Sequence, residues 1–231
     1  MKRIMFASLL ASTVFIPAVS ANAADLPRRE YVAPVVDTWN PWMIRVRALG
    51  VLPQNGERKS RVKLNGASVE GSNIAITNSI VPELDITYFF TKNIAVELIL
   101  GTTPHSVKGA GSLATAGRIG RTWLLPPTLT LQYHFNLTDN IKPYVGAGIN
   151  YTFFYNNKDR GAFTNFKVES AAGFALQAGV DYMIDRHWGI NLDVKKIFLQ
   201  ADAKAYLGDV RVKTKAKIDP WLIGVGVVYK F

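Results

Sequence analysis

His134 is the histidine whose position could support catalysis, because His105 and His187 fall in a predicted loop and a predicted turn. A hydrolase built on an imidazole needs a serine or another nucleophile within hydrogen-bond reach, and an acid that orients the ring. No such trio surrounds His134 at a recognisable spacing. The chain has no cysteine, which removes thiol nucleophiles, disulfides and zinc–thiolate sites. We therefore interpret His134 as a packed polar residue, and we expect no enzyme activity, no metal and no cofactor.

Charged side chains recur at every second position of several short segments, so that they share one side of each segment. This set consists of Arg45, Arg47, Glu83, Asp85, Glu97, His134, Asp181, Asp193 and Lys195. Two carboxylates can act as an acid and a base, but here cations on the same side compensate them. We expect the set to pair internally and to form a charged constriction that blocks free passage of water and ions.

The segments that must position these residues alternate between apolar and polar positions, which predicts β-strands. The alternating segments are 42–49, 83–90, 94–101, 128–135, 144–153, 174–182, 188–195 and 221–231. Short connections (91–93, 136–140, 185–187) and long polar connections (53–79, 102–122, 156–170, 200–217) follow one another in strict alternation. We interpret the glycine-rich part of the second long connection, residues 108–117, as a flexible loop. The pattern predicts an antiparallel up-and-down barrel of eight strands, with short turns at one end and long loops at the other.

The direction of the two faces separates a soluble ligand carrier from a membrane barrel. An eight-stranded lumen is narrow and filled by side chains, which suits the mixed charges and glycines of the polar face. The other face is almost entirely aliphatic and carries aromatic rings near its ends, as in the girdles of membrane barrels. These rings are Trp42, Tyr88, Tyr133, Tyr151, Tyr155, Tyr182, Trp188, Trp221 and Tyr229. We predict an all-β transmembrane barrel over residues 41–231, with short periplasmic turns and long extracellular loops.

Residues 1–23 have the organisation of a secretory signal peptide that is cleaved on export. Lys2 and Arg3 precede an apolar stretch, 4–19, and residues 21–23 form a small-x-small cleavage site. The apolar stretch is short for a membrane anchor, which is the alternative interpretation. Residues 24–40 are predicted to be a periplasmic N-terminal lead. A cell outer-membrane location follows from export together with a spanning barrel.

The segment "TWLLPPTLTLQYHF", residues 122–135, begins a strand with two residues that cannot donate to a β-ladder, Pro126 and Pro127. The eight residues below them span about 19 Å of an apolar band that is about 25 Å tall. Two interpretations stay open: a strand end or bulge at the rim, or a separation from the neighbouring strand. The second interpretation predicts a lateral opening towards lipid at Trp123, Leu125, Pro126 and Pro127.

Three segments resemble the OmpW family of Gram-negative outer-membrane proteins: "LLPPTLTLQYHF", "PYVGAGINYTFF" at 143–154, and the C-terminal "WLIGVGVVYKF". The C-terminal segment also resembles the insertion signal of bacterial outer-membrane barrels, with Val225, Val227, Tyr229 and Phe231 on one face. The resemblance implies an eight-stranded outer-membrane barrel and a narrow channel for small hydrophobic molecules. It also implies, for some members, phage or bacteriocin reception and stress responses.

Three functions remain open on the sequence. The first is a passive channel for small hydrophobic molecules with a lateral exit near Pro126 and Pro127. The second is a structural or adhesive barrel that serves as a surface receptor or a stress-related porin. The third is a barrel lipid hydrolase that uses His134. The expected partners are small hydrophobic solutes, outer-membrane lipids and lipopolysaccharide, and the outer-membrane assembly machinery through the C-terminal strand.

Basic residues cluster in the first and the last long connection of a chain whose net charge is +10. They are Arg58, Lys59, Arg61, Lys63, Arg211, Lys213, Lys215 and Lys217. A positive chain can bind nucleic acid, but on an outer-membrane barrel these residues face outward, so we expect no nucleic-acid partner. A solvated face and a contact with anionic lipid phosphates are the two interpretations that remain.

Overall fold

The structure, a computed structural model, describes residues 39–54 and 60–231. The predicted signal peptide, residues 1–23, lies outside the described residues, and so does most of the predicted N-terminal lead. Within the described ranges, no helix is long and apolar enough to cross a membrane.

The described residues form β-strands and one short 3₁₀ helix, Ala114–Ala116. The strands are β1 (Trp42–Leu52), β2 (Ser60–Leu64), β3 (Ala67–Ser68), β4 (Ser72–Ile76), β5 (Ser79–Phe89), β6 (Ile94–Gly101), β7 (Thr103–Gly111), β8 (Arg118–Leu125), β9 (Thr128–His134), β10 (Ile141–Asp159), β11 (Phe163–Val168), β12 (Ala171–Met183), β13 (Trp188–Leu207), β14 (Val210–Lys217) and β15 (Trp221–Lys230).

Eight of these strands form a closed antiparallel ring in the order β1, β5, β6, β9, β10, β12, β13 and β15. The ring closes because β15 pairs with β1, from Met43 opposite Lys230 to Leu52 opposite Trp221. Each of the eight alternating segments lies in one of these strands, so the predicted eight-stranded barrel is confirmed. A closed ring leaves no unpaired edge, which is what a sheet requires in lipid.

The side chains of the barrel follow the predicted orientation, with polar residues inside and apolar residues outside. In β9, Thr130 and Gln132 are 0% and 1% exposed, whereas Leu129 and Leu131 are 46% and 59% exposed. Aromatic rings meet edge to face near the short-turn end, where the ring centroids of Trp188 and Tyr229 are 4.8 Å apart. An apolar belt with aromatic rings at its margin is the surface that a bilayer contacts.

The long connections are not simple loops, which corrects the prediction made from their polarity. One extracellular sheet contains β4, β7, β8 and the upper part of β10, and a second contains β3, β2, β14, the upper part of β13 and β11. The glycine-rich segment 108–117, which we expected to be a flexible loop, contains the end of β7, a turn and the 3₁₀ helix. Its residues Lys108–Gly111 pair with β4.

The polarity of both faces inverts where a strand leaves the membrane, and this explains the wrong prediction. On β13, the inward residues change from Asp193 and Lys195 to Ile197 and Leu199, all of them buried. Further up, the outward residues change to polar ones such as Asp202. The period of two persists, but the apolar face now points inward and the polar face meets water.

The seam between β1 and β15 provides a test of this packing. A methyl group added at Gly226 would lie 2.0 Å from the carbonyl oxygen of Val46, so the two strands would have to separate. At Gly50, on the same seam, the nearest atom would be the carbonyl oxygen of Ile223 at 3.6 Å, an ordinary contact. We expect Gly226→Ala to lower the free energy of unfolding by about 1–3 kcal/mol, and Gly50→Ala to change it little.

Urea unfolding of the barrel in lipid vesicles measures both variants. Equal stability of Gly226→Ala and the unsubstituted protein would show that the seam is not packed as described.

Candidate functional site

Arg45 anchors the lower part of a polar layer that fills the lumen. Its guanidinium donates to Asp181, with Nη2 2.6 Å from Oδ2, and it forms a second ion pair with Glu97. Nη1 also donates to the hydroxyl of Thr87 at 3.0 Å. The carbon of the guanidinium lies 4.8 Å from the centre of the Tyr144 ring. Arg45 is 0% exposed, so these contacts replace its hydration.

Arg47 and Lys195 hold the upper part of the layer. Arg47 Nε donates to Glu83 Oε1 at 2.9 Å, and its Nη2 is 2.5 Å from Asp85 Oδ2. Lys195 Nζ lies 2.8 Å from the same Glu83 oxygen and 3.0 Å from Asp193 Oδ1. These charges are almost fully buried. The layer is therefore packed with paired charges.

Neutral side chains join the two parts of the layer. The amide of Gln177 donates to Glu97 Oε1 at 2.9 Å and to Asp193 Oδ2 at 2.8 Å. The hydroxyl of Tyr144 donates to the same Asp193 oxygen at 2.6 Å. Sequence reasoning left Gln177 and Tyr144 out of the constriction, although both share the inward face of their strands. We call the whole layer the charged plug: Arg45, Arg47, Glu83, Asp85, Glu97, Tyr144, Gln177, Asp181, Asp193 and Lys195.

Below the charged plug, towards the periplasmic turns, lies a second, apolar layer. It consists of Met43, Phe89, Ala95, Met183 and Val228, all of which are buried. Two layers of side chains therefore fill the lumen: the paired charges above and the apolar cluster below.

His134 lies between these two layers. Its ring is stacked on Tyr144 at a centroid distance of 5.0 Å and contacts the Phe89 ring at 4.8 Å. Its Nε2 is 3.0 Å from Gln132 Oε1. This geometry packs the imidazole among rings and an amide, and does not present it beside a serine. The arrangement gives no support to a hydrolase.

Above the charged plug, the lumen becomes an apolar chamber of about 80 Å³. Glu83 and Lys195 form part of its floor, and most of its lining is aliphatic. His105 of β7, which lies above the membrane-spanning strands, contributes a ring whose Nδ1 is 2.5 Å from the carbonyl oxygen of Thr77. Burial lowers the pKa of His105, against the opposing effect of that hydrogen bond, so the chamber wall carries no charge here at neutral pH.

At Pro126 and Pro127, ladder pairing is interrupted on one side of the strand only. Backbone pairing stops at Ile99 opposite Thr128 and resumes, in the same register, at Thr103 opposite Leu124. Residues 100–102 and 125–127 therefore face one another without ladder pairs.

On the other side of the prolines, β10 remains bonded to both of them. The amide of Tyr151 donates to the Pro127 carbonyl at 3.1 Å, and the side chain of Asn150 donates to the Pro126 carbonyl at 3.2 Å. The segment at the prolines is thus hydrogen-bonded to β10, whereas it has no ladder pairs with residues 100–102 between β6 and β7.

The two prolines lie on opposite surfaces of the wall. Pro126 lines the apolar chamber, whereas Pro127 lines an external groove of about 700 Å³. The groove also contains lipid-facing residues such as Leu129 and Phe174. Of the other two residues predicted at the opening, Leu125 is 38% exposed, and Trp123 packs near Tyr155 with 6.4 Å between ring centroids.

The four residues of the predicted insertion signal lie on one side of the last strand. Val225 and Val227 are 59% and 49% exposed. Tyr229 packs edge to face on Phe231, with ring centroids 4.9 Å apart. Recognition of this side by the assembly machinery stays a prediction.

A closed eight-stranded barrel with an apolar belt, aromatic margins and a polar lumen defines the class of small outer-membrane β-barrels. Residues 41–231 match the OmpW family over their whole length, so the chain belongs to that family. It is 48% identical to the uncharacterised outer-membrane protein y4mB of Sinorhizobium fredii, over 97% of this chain and 95% of that protein.

Two further comparisons come from Pseudomonas aeruginosa. The crystal structure of the outer-membrane protein OprG superposes with a TM-score of 0.76 at 30% identity, covering 82% of this chain and 95% of OprG. The dibenzothiophene metabolism operon protein PahQ is 29% identical over 84% of this chain and 92% of its own length. The protein is therefore located in the outer membrane.

The charged plug provides a stability test. Replacing Arg47 by alanine removes the cation nearest to the buried Asp85 and leaves Glu83 and Asp193 with Lys195 alone. We expect a loss of about 3–5 kcal/mol in the free energy of unfolding. Lys204→Ala is the control, because it removes an exposed ion pair, and pairs of this kind contribute about 0–1 kcal/mol. Urea titration in vesicles measures both. Equal small losses would contradict the account of the plug as a mutually dependent network.

Proposed function

We propose that the protein is a passive channel that admits small apolar solutes from the outside and releases them sideways into the outer membrane. The observation that carries this proposal is the position of the apolar chamber. It lies directly on the charged plug, and it is separated from the lipid-facing groove only by the wall at Pro126 and Pro127. The sequence shows no recognisable energy-coupling motif, and we propose that transport is driven by the solute's own gradient.

Entry into the chamber is favourable because an apolar solute loses contact with water. The gain is about 25 cal/mol per Å² of apolar surface removed from water. The resting chamber, about 80 Å³, is small. An engineered cavity of about 150 Å³ is known to take benzene. Solutes of that size or larger therefore require the chamber's side chains to move.

The axis of the barrel is closed to such a solute. To pass downward, it would have to separate Arg47 and Lys195 from carboxylates at 2.5–3.0 Å. Buried charges that lose their partners cost several kcal/mol each, and an apolar molecule offers no replacement. Below them, the apolar cluster around Phe89 and Met183 fills the remaining section.

The lateral route requires a smaller rearrangement. Three positions on each side of the interruption, 100–102 and 125–127, have no ladder pairs with one another to break. Proline fixes its own φ and cannot donate, so this interruption is built into the sequence and does not depend on loop conformation. A solute leaving here enters the groove beside Leu129 and Phe174, where its apolar surface stays out of water.

The comparison with PahQ supports the solute class. Its name associates it with the metabolism of dibenzothiophene, a compound whose surface is almost entirely apolar. The same class suits a chamber whose lining is mainly Leu, Ile, Val and Pro. We therefore propose small apolar hydrocarbons and heteroaromatics as solutes.

A first variant tests the exit. The double substitution Pro126→Thr, Pro127→Thr supplies two backbone donors and permits a continuous ladder between β6–β7 and β8–β9. We expect uptake of an apolar tracer by cells to fall about tenfold, which corresponds to about 1.4 kcal/mol added to the barrier. Surface-exposed, heat-modifiable protein at normal abundance is the control for insertion. Normal uptake with normal insertion would rule out lateral exit at the prolines.

A second variant tests the chamber. Ala201 is 1% exposed and lines the chamber, so Ala201→Phe places a ring inside it. Ala178 faces outward on β12, and Ala178→Phe makes the same chemical change towards lipid. We expect Ala201→Phe to abolish uptake of the apolar tracer and Ala178→Phe to leave it unchanged. A barrel that serves only as a structural element or a surface receptor predicts normal uptake in both.

A further inference from the structure

The outer face of the second extracellular sheet carries a row of lysines on four neighbouring strands. Lys167 on β11 is opposite Lys204 on β13, Lys204 is opposite Lys213 on β14, and Lys213 is opposite Lys63 on β2. Lys63 of the first basic cluster and Lys213 of the last, which are distant in sequence, therefore lie on one surface. Of the remaining clustered residues, Arg58 and Lys59 lie outside the described residues.

This row is unfavourable in the absence of an anion. Neighbouring strands are about 4.8 Å apart, and like charges directly opposite each other destabilise a sheet. Among the described residues, Glu169 forms an ion pair with this row, 3.1 Å from Lys204 Nζ. That pair is largely exposed, with 54% of the Glu169 side chain accessible, so it contributes little to offsetting the row.

Strand β14 extends the positive surface along its length. Arg211, Lys213, Lys215 and Lys217 occupy successive outward positions, each of them exposed, while the inward positions between them are buried or half-buried. Asp202 is opposite Lys215 on β13 and is the second acidic residue beside the row. We call this surface the lysine ladder: Lys63, Lys167, Lys204, Arg211, Lys213 and Lys215.

The lysine ladder encloses a groove of about 700 Å³, lined by Lys63, Lys204, Arg211, Lys213 and Lys215 together with both acidic residues. The groove is a concave, mixed-charge surface with an excess of cations. Its donors are spaced at the strand and pleat distances of a sheet, which suits an extended ligand with several anionic groups.

The position of the ladder identifies the ligand's source. Lys204 is on the same face of β13 as Ile190, Leu192 and Phe198, which are exposed apolar residues of the membrane-facing belt. Lys196, between Val194 and Phe198 on this face, lies 4.9 Å above the Trp221 ring. Above Phe198 the outward positions of β13 are polar: Gln200, Asp202 and Lys204. The ladder therefore rises directly from the outer surface of the bilayer.

We infer that the lysine ladder binds the phosphate groups of lipopolysaccharide in the surrounding outer leaflet. The contact is made by the outer face of the extracellular sheet, so it is separate from the chamber and independent of the proposed channel. Its physical basis is charge complementarity between a row of ammonium groups and a phosphorylated sugar, reinforced by relief of the repulsion within the row.

The first extracellular sheet supplies a matched control. Lys108, Arg118 and Lys158 are exposed on β7, β8 and β10. Lys108 is opposite Arg118, but Lys158 is opposite a different residue, Arg121, so these three charges do not form one row. Substituting them changes the net charge by the same amount as substituting three residues of the ladder.

The test measures binding of delipidated, phosphorylated core oligosaccharide to the full barrel in detergent by calorimetry. We expect Lys63→Gln, Lys204→Gln, Lys213→Gln to raise the Kd about tenfold, because three of the charges that contact phosphate are removed. The control triple Lys108→Gln, Arg118→Gln, Lys158→Gln should change it less than about twofold. Dephosphorylated oligosaccharide should bind the unsubstituted protein no better than phosphorylated oligosaccharide binds the ladder variant.

Three results would overturn the inference. They are equal weakening in both triple variants, equal binding of the dephosphorylated oligosaccharide, and an affinity for inorganic phosphate that matches that for the oligosaccharide. Heat-modifiable mobility establishes that both variants are folded. A second readout is thermal: phosphorylated oligosaccharide should raise the Tm of the unsubstituted barrel more than that of the ladder variant, and an equal rise would also contradict the inference.

Discussion

Eight strands enclose a lumen that side chains alone can fill, so the residues that face inward at each height decide what the barrel contains. In this chain those residues change abruptly. Arg47, Glu83 and Lys195 interlock by ion pairs at 2.8–2.9 Å, and the next inward residue of β13 above Lys195 is Ile197. The charged plug therefore gives way to the apolar chamber between two successive inward residues of the same strand. Above this boundary the lining of the lumen is mainly apolar, and directly below it the lumen is occupied by paired charges.

The same inversion explains which parts of the fold could be predicted. The eight barrel strands were predictable because they face lipid outside and charged side chains inside. Apolar and polar residues therefore alternate along each strand, and the apolar face always points outward. Strands β2, β4, β7, β8, β11 and β14 were read as loops, because in water the apolar face of a strand turns inward and its polar face dominates the composition. The alternation with a period of two continues when a strand leaves the membrane, but the apolar face changes from the outer to the inner side.

The sequence was sufficient to predict which residues form the site. It was not sufficient to predict which of them contact one another. Every residue proposed for the constriction shares the inward face of its strand, which the alternation alone indicates. The pairing of Arg45 with Asp181, by contrast, joins residues 136 positions apart and depends on strand order and register. For the same reason, nothing in the sequence brings Lys63 beside Lys213. Gln177 and Tyr144 were left out of the constriction because charge was the criterion, although both donate hydrogen bonds to carboxylates of the buried ionic layer.

The most direct test of the account is a flux measurement in vesicles whose outer leaflet contains lipopolysaccharide and whose interior holds a polar dye. The barrel is reconstituted, and an apolar tracer of similar size to the dye is added outside. A closed axis with a lateral exit predicts that the barrel accelerates the tracer's arrival in the hydrocarbon of the bilayer, while the dye stays inside. Release of the dye at the rate of tracer uptake would contradict it, because both solutes would then be using an aqueous route through the charged plug.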